Sequence, residues 1–185
     1  KIGDNHHRTS DFYNRLVRIF QYLKKEQLLI KDTEIFDIYK ANKRLLLLLF
    51  EHKIIIPDES IVKYLIEQND SNDQQLKYYF FSEIKNYLTE EMKKSIENQI
   101  KKEFNISVEI FEAKVKEGVN DLPVCNIIRQ DSIQDFVSYV NRTNLSLTTE
   151  IQADFYESNS LLIEKKASLI EYAFFMDQSK LLNIY

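Results

Sequence analysis

The sequence predicts an all-α protein made of stacked helical hairpins, an α-solenoid-like arrangement. The 185 residues include only 2 Gly and 2 Pro, whereas average usage would give about 22 of the two together. Apolar residues recur at steps of three and four along most of the chain, which is the spacing of amphipathic helices. Toward the C-terminus, short helical segments come in pairs too small to bury their own apolar faces, so neighbouring pairs must stack.

The scarcity of turn-forming residues also excludes whole classes of fold. Sandwiches, barrels and meanders need Gly, Asn-Gly or Pro turns at regular intervals, and dinucleotide or phosphate-loop folds need clustered glycines. The chain is 44% hydrophobic and 29% charged with a mean hydropathy of −0.39, which is typical of an ordered globular protein. The longest apolar run, Leu45 to Phe50, is far shorter than the ~20 residues that span a bilayer.

The first predicted helix runs from about residue 10 to residue 25, with Ser10 or Asp11 as its cap. Its core-facing stripe is Phe12, Leu16, Ile19, Phe20 and Leu23. A second helix opens at Asp32 and Thr33 and carries Ile35, Phe36, Ile38 and Tyr39.

The run from Leu45 to Phe50 continues a helical pattern and is apolar on every side, so we expect a fully buried helical turn. Pro57 is expected in the first turn of the next helix, where Asp58 and Glu59 also suit the positive end of the helix dipole. That helix carries Ile61, Val62, Leu65 and Ile66, and residues 69–73 form a polar loop after it.

Asp73 is the expected cap of a helix that continues to Leu88, with a stripe of Leu76, Phe80, Ile84 and Leu88. Four consecutive aromatic residues, Tyr78 to Phe81, cannot all face one side of a helix. Tyr78 or Phe81 is therefore a candidate for a contact with a neighbouring helix or a partner, the alternative being a helix buried on two sides.

Thr89 restarts the helical pattern, and Met92, Ile96, Ile100 and Phe104 continue it. After a break at residues 105–107, Val108, Phe111 and Val115 mark another helix, which Gly118 terminates.

The segment from Gly118 to Pro123 holds half of all the Gly and Pro, so we place a boundary there. The prediction is an N-terminal helical region, residues 1–118, followed by residues 119–185. The second part has short helices at about 123–130 and 132–140, a polar stretch at 141–149, and a final pair at about 168–185.

No catalytic, cofactor-binding or metal-binding residue is predicted, and the chain is expected not to be an enzyme. The histidines His6, His7 and His52 have no neighbouring ligands. Cys125 is interpreted as a buried core residue, and as the only cysteine it suits a reducing, cytoplasmic location. Carboxylate pairs such as Glu90/Glu91 and Asp131/Asp135 are the kind found at helix starts.

Charge leaves two alternatives open. Residues 1–50 contain 10 Lys and Arg against 6 Asp and Glu, although the whole chain has a pI near 5.5. Nucleic-acid binding through these basic residues is one alternative. A helical enzyme, or an enzyme-regulating domain, that uses acidic helix faces is the other.

The last eighteen residues resemble an ankyrin repeat, which begins TPLHxAA and has a turn glycine three residues later. Here the run is Ser168 to Phe174 (SLIEYAF), then Asp177 in the glycine position, then Leu181-Leu182 and Ile184-Tyr185. Ala173 is the small residue that lets two helices approach. Ser168 can still cap in place of Thr, whereas Glu171 replaces the His.

An earlier copy is similar, with Asp131 aligned to Asp177, Ile127 to Ala173, Phe136 to Leu182 and Tyr139 to Tyr185. The 46-residue offset exceeds that of an ordinary repeat, so about 13 residues are inserted between Asn141 and Lys166. Asp tolerates the left-handed conformation of a turn glycine better than most residues.

The segments Ile127 to Asn144, Phe155 to Lys165 and Ser168 to Phe175 together resemble the divergent ankyrin-repeat proteins expanded in parasitic protists, in which an uncharacterised helical region precedes the repeats. This resemblance implies a scaffold that binds protein partners, without nucleic acid, membrane or cofactor. We expect a truncated array, with homo-oligomer formation possible through the end at Tyr185.

Overall fold

The computed structural model describes residues 5–67, 76–157 and 166–176 of the chain. Regular structure within these ranges is helical, with one isolated antiparallel bridge between Glu150 and Ser168 and no β-strand. The all-α prediction is therefore confirmed, while the solenoid-like stacking of hairpins stays a prediction. None of the helices in this part of the chain is long and apolar enough to cross a bilayer.

Eleven α-helices and one 3₁₀ turn follow one another in the described part. They are α1 (Asn5–Lys25), α2 (Asp32–Tyr39), α3 (Lys43–Glu51), α4 (Glu59–Glu67), α5 (Leu76–Tyr79), α6 (Phe81–Ile84), the 3₁₀ turn Lys85–Tyr87, α7 (Glu90–Phe104), α8 (Val108–Glu117), α9 (Pro123–Arg129), α10 (Ile133–Thr143) and α11 (Leu169–Phe175).

The chain divides into two compact units. We call residues 13–117 the N-terminal unit, and residues from 118 onward the C-terminal unit, with which the first twelve residues are grouped. In the N-terminal unit α2 packs against α3 and α4, α3 packs against α6, and α7 pairs with α8. The helix α5 packs against α4, α6 and α7.

The apolar run of α3 forms the centre of the N-terminal core. Five of its six side chains from Leu45 to Phe50 are buried, and Leu48 is half-buried. Phe50 makes an edge-to-face contact with Phe80, and their ring centroids are 5.7 Å apart, within the range of about 4.5–7 Å that is common for aromatic pairs. The predicted burial of this run is confirmed except at Leu48.

The first helix departs from its prediction at two points. It begins at Asn5, so Ser10 and Asp11 lie inside it and do not cap its start. Val17 is 3% exposed and Phe20 is 8% exposed, but Ile19 is 55% exposed. Two residues along a helix correspond to about 200° around its axis, so Ile19 faces away from the core that Val17 enters.

The predicted helix through Leu88 is broken at Phe80, whose φ of −98° and ψ of 12° are not helical. The break changes the direction of the side chains, and all four aromatic residues from Tyr78 to Phe81 are buried. Tyr78 contacts α7, because its hydroxyl lies 3.2 Å from Gln99 Oε1 and 3.1 Å from Glu103 Oε1. These residues thus make contacts within the chain, and the alternative of an exposed partner contact is wrong.

Helix starts follow the capping chemistry in the sequence. Thr89 Oγ1 accepts a hydrogen bond from the Met92 amide at 3.3 Å, as a restart signal predicts. Asp58 Oδ1 accepts from the Ile61 amide at 2.9 Å, so α4 begins just after Asp58 and Pro57 precedes the cap instead of lying in the first turn. Met92, in the first turn of α7, is 37% exposed and does not belong to the core stripe.

Helix ends use residues other than glycine in the left-handed region. Gly118 ends α8 with φ 67°, as predicted. Five further residues at helix ends have positive φ between 50° and 56°, namely Gln27, Lys53, Asn105, Asp131 and Asn144, and Lys166, which precedes α11, has φ 47°. Lys53 shows the hydrogen bonding of such an end: its amide donates to Phe50 O at 2.9 Å, and the next amide, of Ile54, donates to Leu49 O at 2.8 Å.

The C-terminal unit is built on α9, which packs against both α10 and α11. Its core includes Val124, Cys125 and Ile128 of α9 together with Leu169, Tyr172 and Ala173 of α11. Asp131, between α9 and α10, has φ 50°, which confirms the left-handed turn predicted there. Asp177, Leu181-Leu182 and Ile184-Tyr185 lie outside the described residues, as do Asp73 and the loop at 69–73.

The segment predicted as an insertion, between Asn141 and Lys166, packs on the core in its described part. The helix α10 extends to Thr143, past its predicted end. Ile151 and Tyr156 are buried, and residues 149–151 pair with residues 167–169 through Ile151 N to Ala167 O at 2.8 Å and Leu169 N to Thr149 O at 3.0 Å. The inserted stretch is therefore anchored on the same core as the helices.

We predict that Lys53→Gly stabilises the protein by about 1 kcal/mol, because glycine removes the steric cost of the left-handed conformation. The free energy of unfolding is measured with urea and circular dichroism. The matched control is Lys94→Gly, at an exposed position in the interior of α7, which should destabilise by about 1 kcal/mol. A Lys53→Gly protein less stable than Lys53→Ala would contradict the prediction.

Candidate functional site

A set of polar contacts in the C-terminal unit surrounds Arg129, the last residue of α9. Its guanidinium donates to the carbonyl of Asn120 at 2.6 Å and to the Tyr172 hydroxyl at 2.8 Å, and it also donates to Asn126 Oδ1. Because Asn120 precedes α9 and Tyr172 lies on α11, one side chain joins three parts of the unit. Charged donors make the stronger hydrogen bonds in proteins.

A second group of contacts holds the segment from Gln152 to Glu157. Asn120 Nδ2 donates to the carbonyl of Gln152 at 3.0 Å, while its Oδ1 accepts from the Leu122 amide at 3.0 Å. The Asp154 carboxylate accepts from three amides, those of Asp121 at 2.5 Å, Tyr156 at 3.0 Å and Glu157 at 2.9 Å. The loop before α9 and this segment are thereby fixed to each other.

Burial controls the ionisation of these groups. It raises the pKa of Asp154, with a smaller contribution from the nearby charge of Asp121, and the three amide hydrogen bonds lower it in part. Burial also raises the pKa of Tyr156 to about 12. The Tyr172 hydroxyl has a raised pKa for the same reason, and the positive charge of Arg129 lowers it in part.

Cys125 lies beside this network and is 0% exposed. Burial raises the pKa of its thiol to about 12, an effect that Arg129 reduces. A nucleophilic cysteine needs a lowered pKa and access to substrate, and Cys125 has neither. The interpretation of Cys125 as a core residue is confirmed.

The Arg129 network therefore connects structural elements. Its residues hold α9, α11 and the segment 152–157 in one arrangement. Sequence reasoning missed it, since Arg129, Asn120 and Asp154 follow no motif. The available signal was the asparagine and the arginine, Asn126 and Arg129, of the otherwise apolar helix α9.

Acidic helix faces converge in the N-terminal unit around Glu83 of α6. Burial is the first cause of the raised pKa of Glu83, and the charge of Glu51 is the second. Lysines accompany these carboxylates: Lys85 Nζ lies 2.9 Å from Glu112 Oε1, and Lys116 Nζ lies 3.8 Å from Glu51 Oε1. This is an ion-pair network in which cations and anions alternate.

The carboxylate pairs singled out in the sequence lie elsewhere and are not brought together. Glu90 binds Lys93 at 2.6 Å in the first turn of α7, and Lys93 lowers the pKa of Glu90. Asp135 Oδ2 accepts from Ser132 Oγ at 2.6 Å at the start of α10. Both act at helix starts.

The described residues offer no metal site: they contain no group of three or more His, Cys, Asp or Glu side chains able to hold an ion. His52 is the exposed C-cap residue of α3, and the side chains of His6 and His7 lie outside the description.

Among the described residues, three helices each expose a pair of large apolar side chains. Ile19 and Tyr22 are 55% and 61% exposed on α1. Ile133 and Val137 are 37% and 41% exposed on α10, and Ile170 and Phe174 are 43% and 73% exposed on α11. Each pair is three or four residues apart, so its members lie on one face of their helix. Such faces are candidates for contact with other molecules.

In comparisons with known proteins, no protein-family model, no curated protein and no solved structure matches the chain.

We predict that Arg129→Met destabilises the C-terminal unit by about 2–4 kcal/mol, because buried acceptors lose a charged donor. Tyr172→Phe removes one of the same bonds and should cost about 1–2 kcal/mol. Unfolding in urea, followed by circular dichroism, gives both values. The control Arg142→Met, at an exposed position on α10, should change the stability by less than about 0.5 kcal/mol. Equal effects of Arg129→Met and Arg142→Met would refute the role given to the network.

We also predict that the thiol of Cys125 is protected from an aromatic disulfide reagent at pH 8. With a pKa near 12, only about one molecule in ten thousand carries the reactive thiolate. The native protein should therefore react at least about 1,000-fold more slowly than the protein unfolded in urea, with glutathione as the reference thiol. A native rate within tenfold of the unfolded rate would show that Cys125 is accessible and ionised.

Proposed function

We propose that this chain is a non-enzymatic protein-interaction module whose C-terminal unit consists of ankyrin-like helix pairs. One observation carries the proposal. The helices α9 and α11 are each seven residues long, begin 46 residues apart and pack against each other. This is the relation expected of equivalent helices in two stacked repeats.

Local features at equivalent positions support the repeat. Pro123, the first residue of α9, occupies the place of the proline in the TPLH pattern. Ser168 caps α11 by accepting a hydrogen bond from the Glu171 amide at 3.3 Å. Glu171 in turn accepts from the Ser168 amide at 2.8 Å, so the residue that replaces the usual histidine closes the cap instead.

The interaction function follows from what such repeats leave exposed. Stacked helix pairs present extended surfaces of helix faces, and here α10 and α11 present Ile133, Val137, Ile170 and Phe174 to solvent. A partner protein that covered these side chains would gain the free energy of removing apolar surface from water. The free thiol of Cys125 suits the reducing cytoplasm, where we place the protein.

A proton-transferring enzyme is the second candidate, and Glu83 is the observation that favours it. A half-buried carboxyl group with a raised pKa is the type of group that serves as a general acid or base. The surrounding lysines are already paired with Glu51 and Glu112, which favours the network as a link between helices.

We predict that replacing the exposed apolar residues abolishes partner binding without unfolding the protein. Wild type and the double variants Ile133→Lys/Val137→Lys and Ile170→Lys/Phe174→Lys are cross-linked in the source cells, and the recovered partner is then purified and titrated. At least one double variant should bind it at least tenfold more weakly, because it replaces apolar contact surface with charge. Circular dichroism verifies folding.

Glu83→Gln is the matched control, since an interaction module does not need that carboxyl group. It should bind the purified partner as wild type does. If no partner were recovered above background, or if all variants bound the partner equally, the proposal would be wrong.

A further inference from the structure

The outer face of α1 combines apolar and basic side chains. Arg15, Arg18, Ile19, Tyr22 and Lys25 are all exposed. They follow one another at steps of one to three, and together they line one side of the helix over about three turns. The opposite side enters the core through Val17 and Phe20. We call these five residues the α1 outer face.

The two apolar residues of this face, Ile19 and Tyr22, lie on the solvent side of α1. Ile19 is 55% exposed and Tyr22 is 61% exposed, although polar residues usually occupy the solvent side of an amphipathic helix. Tyr22 lies on the side of α1 away from Phe20, whose ring instead makes an edge-to-face contact with Tyr39 at 5.6 Å. Neither Ile19 nor Tyr22 belongs to the core of the unit.

The three cations of this face, Arg15, Arg18 and Lys25, make no ion pair among the described residues. The acidic residues nearest them in the sequence are Asp11, four residues before Arg15, and Glu26, just after α1; the side chain of Asp11 lies outside the description. Elsewhere in the N-terminal unit, lysines bind carboxylates, as Lys85 does with Glu112 at 2.9 Å. The five residues of the α1 outer face thus carry three positive charges and no negative charge.

We propose that the α1 outer face binds an acidic amphipathic helix of a partner protein. Residues at steps of three and four along a helix are those that a second helix covers when the two pack side by side. The partner's apolar residues would lie between Ile19 and Tyr22, and its carboxylates would pair with Arg15, Arg18 and Lys25. Complementary charges beside an apolar seam also set the choice of partner in coiled coils.

Other occupants fit this face less well. A second copy, docked face to face, would bring arginines close to arginines, and like charges repel. A bilayer would receive only two apolar side chains, and binding of helices to lipid depends on the apolar area inserted. For nucleic acid, the face offers the single aromatic ring of Tyr22, whereas proteins that bind single strands stack successive bases on several aromatic side chains. The proposal concerns the N-terminal unit and is independent of the surfaces on α10 and α11.

The probe is a fluorescent 21-residue peptide with leucine at each a and d position of its heptads and glutamate at each e and g position. It is titrated with the whole chain at 50 mM and 500 mM salt, and anisotropy reports binding. We expect saturable binding at low salt that weakens at high salt. Arg15→Glu/Arg18→Glu and Ile19→Asn/Tyr22→Asn should each weaken it at least tenfold.

Lys94→Glu/Lys101→Glu is the matched control, because it reverses two exposed cations on α7 and should leave binding unchanged. Circular dichroism shows that each variant is folded. The proposal is overturned if the peptide does not bind, if the α1 variants bind as wild type does, or if a peptide with lysine in place of glutamate binds equally. It is also overturned if vesicles containing phosphatidylserine, or a 20-nucleotide single-stranded RNA, bind more tightly than the acidic peptide and lose binding in the same variants.

Discussion

Each helix of this chain has to stop and the backbone has to turn, and with two glycines in 185 residues almost every turn must be made by a residue with a side chain. A left-handed residue other than glycine is held in place only when its surroundings compensate for the steric cost. Lys53 illustrates the compensation, because Lys24 Nζ donates to the carbonyls of Lys53 and Ile54 at 2.7 and 2.9 Å. Packing and hydrogen bonds thus fix the turns, and the turns fix which helix faces meet.

The same dependence governs the C-terminal unit. Asp131 makes the turn between α9 and α10 with φ 50°, and Arg129, two residues earlier, binds Asn120, Asn126 and Tyr172. Arg129 and the turn at Asp131 lie together at the C-terminal end of α9, so the order of one supports the order of the other. Cys125 and Ile128 of the same helix are both fully buried in the core.

Local chemistry made much of the fold predictable from the sequence. The caps at Thr89 and Ser168, the left-handed turn at Asp131 and the burial of Cys125 all follow from the properties of single residues. These are short-range effects, and a sequence shows short-range effects directly.

Tertiary packing accounts for what the sequence did not predict. Ile19 fits a helical stripe as well as Val17 does, and only the position of the neighbouring helices decides that Val17 is buried. The sequence shows that the four aromatic side chains from Tyr78 to Phe81 cannot share one face of a helix, but it does not show that the helix breaks at Phe80 and that all four are buried. Arg129 binds Tyr172, which is 43 positions away in the sequence. The outer face of α1 can be identified only when the structure shows that Val17 and Phe20, on the opposite side, are buried.

The antiparallel pairing of residues 149–151 with residues 167–169 makes the packing of α9 against α11 independent of the length of chain between them. Both ends of the intervening stretch are held by the core, and the entropic cost of closing a loop rises by only about 0.6 kcal/mol when its length doubles. Residues 152–157 are bound to the loop before α9, so changes of length there would disturb the unit. Between Glu157 and Lys166 a longer chain adds little to the cost of closing the loop, and the distance of α11 from α9 along the chain can therefore change without changing how the two helices pack.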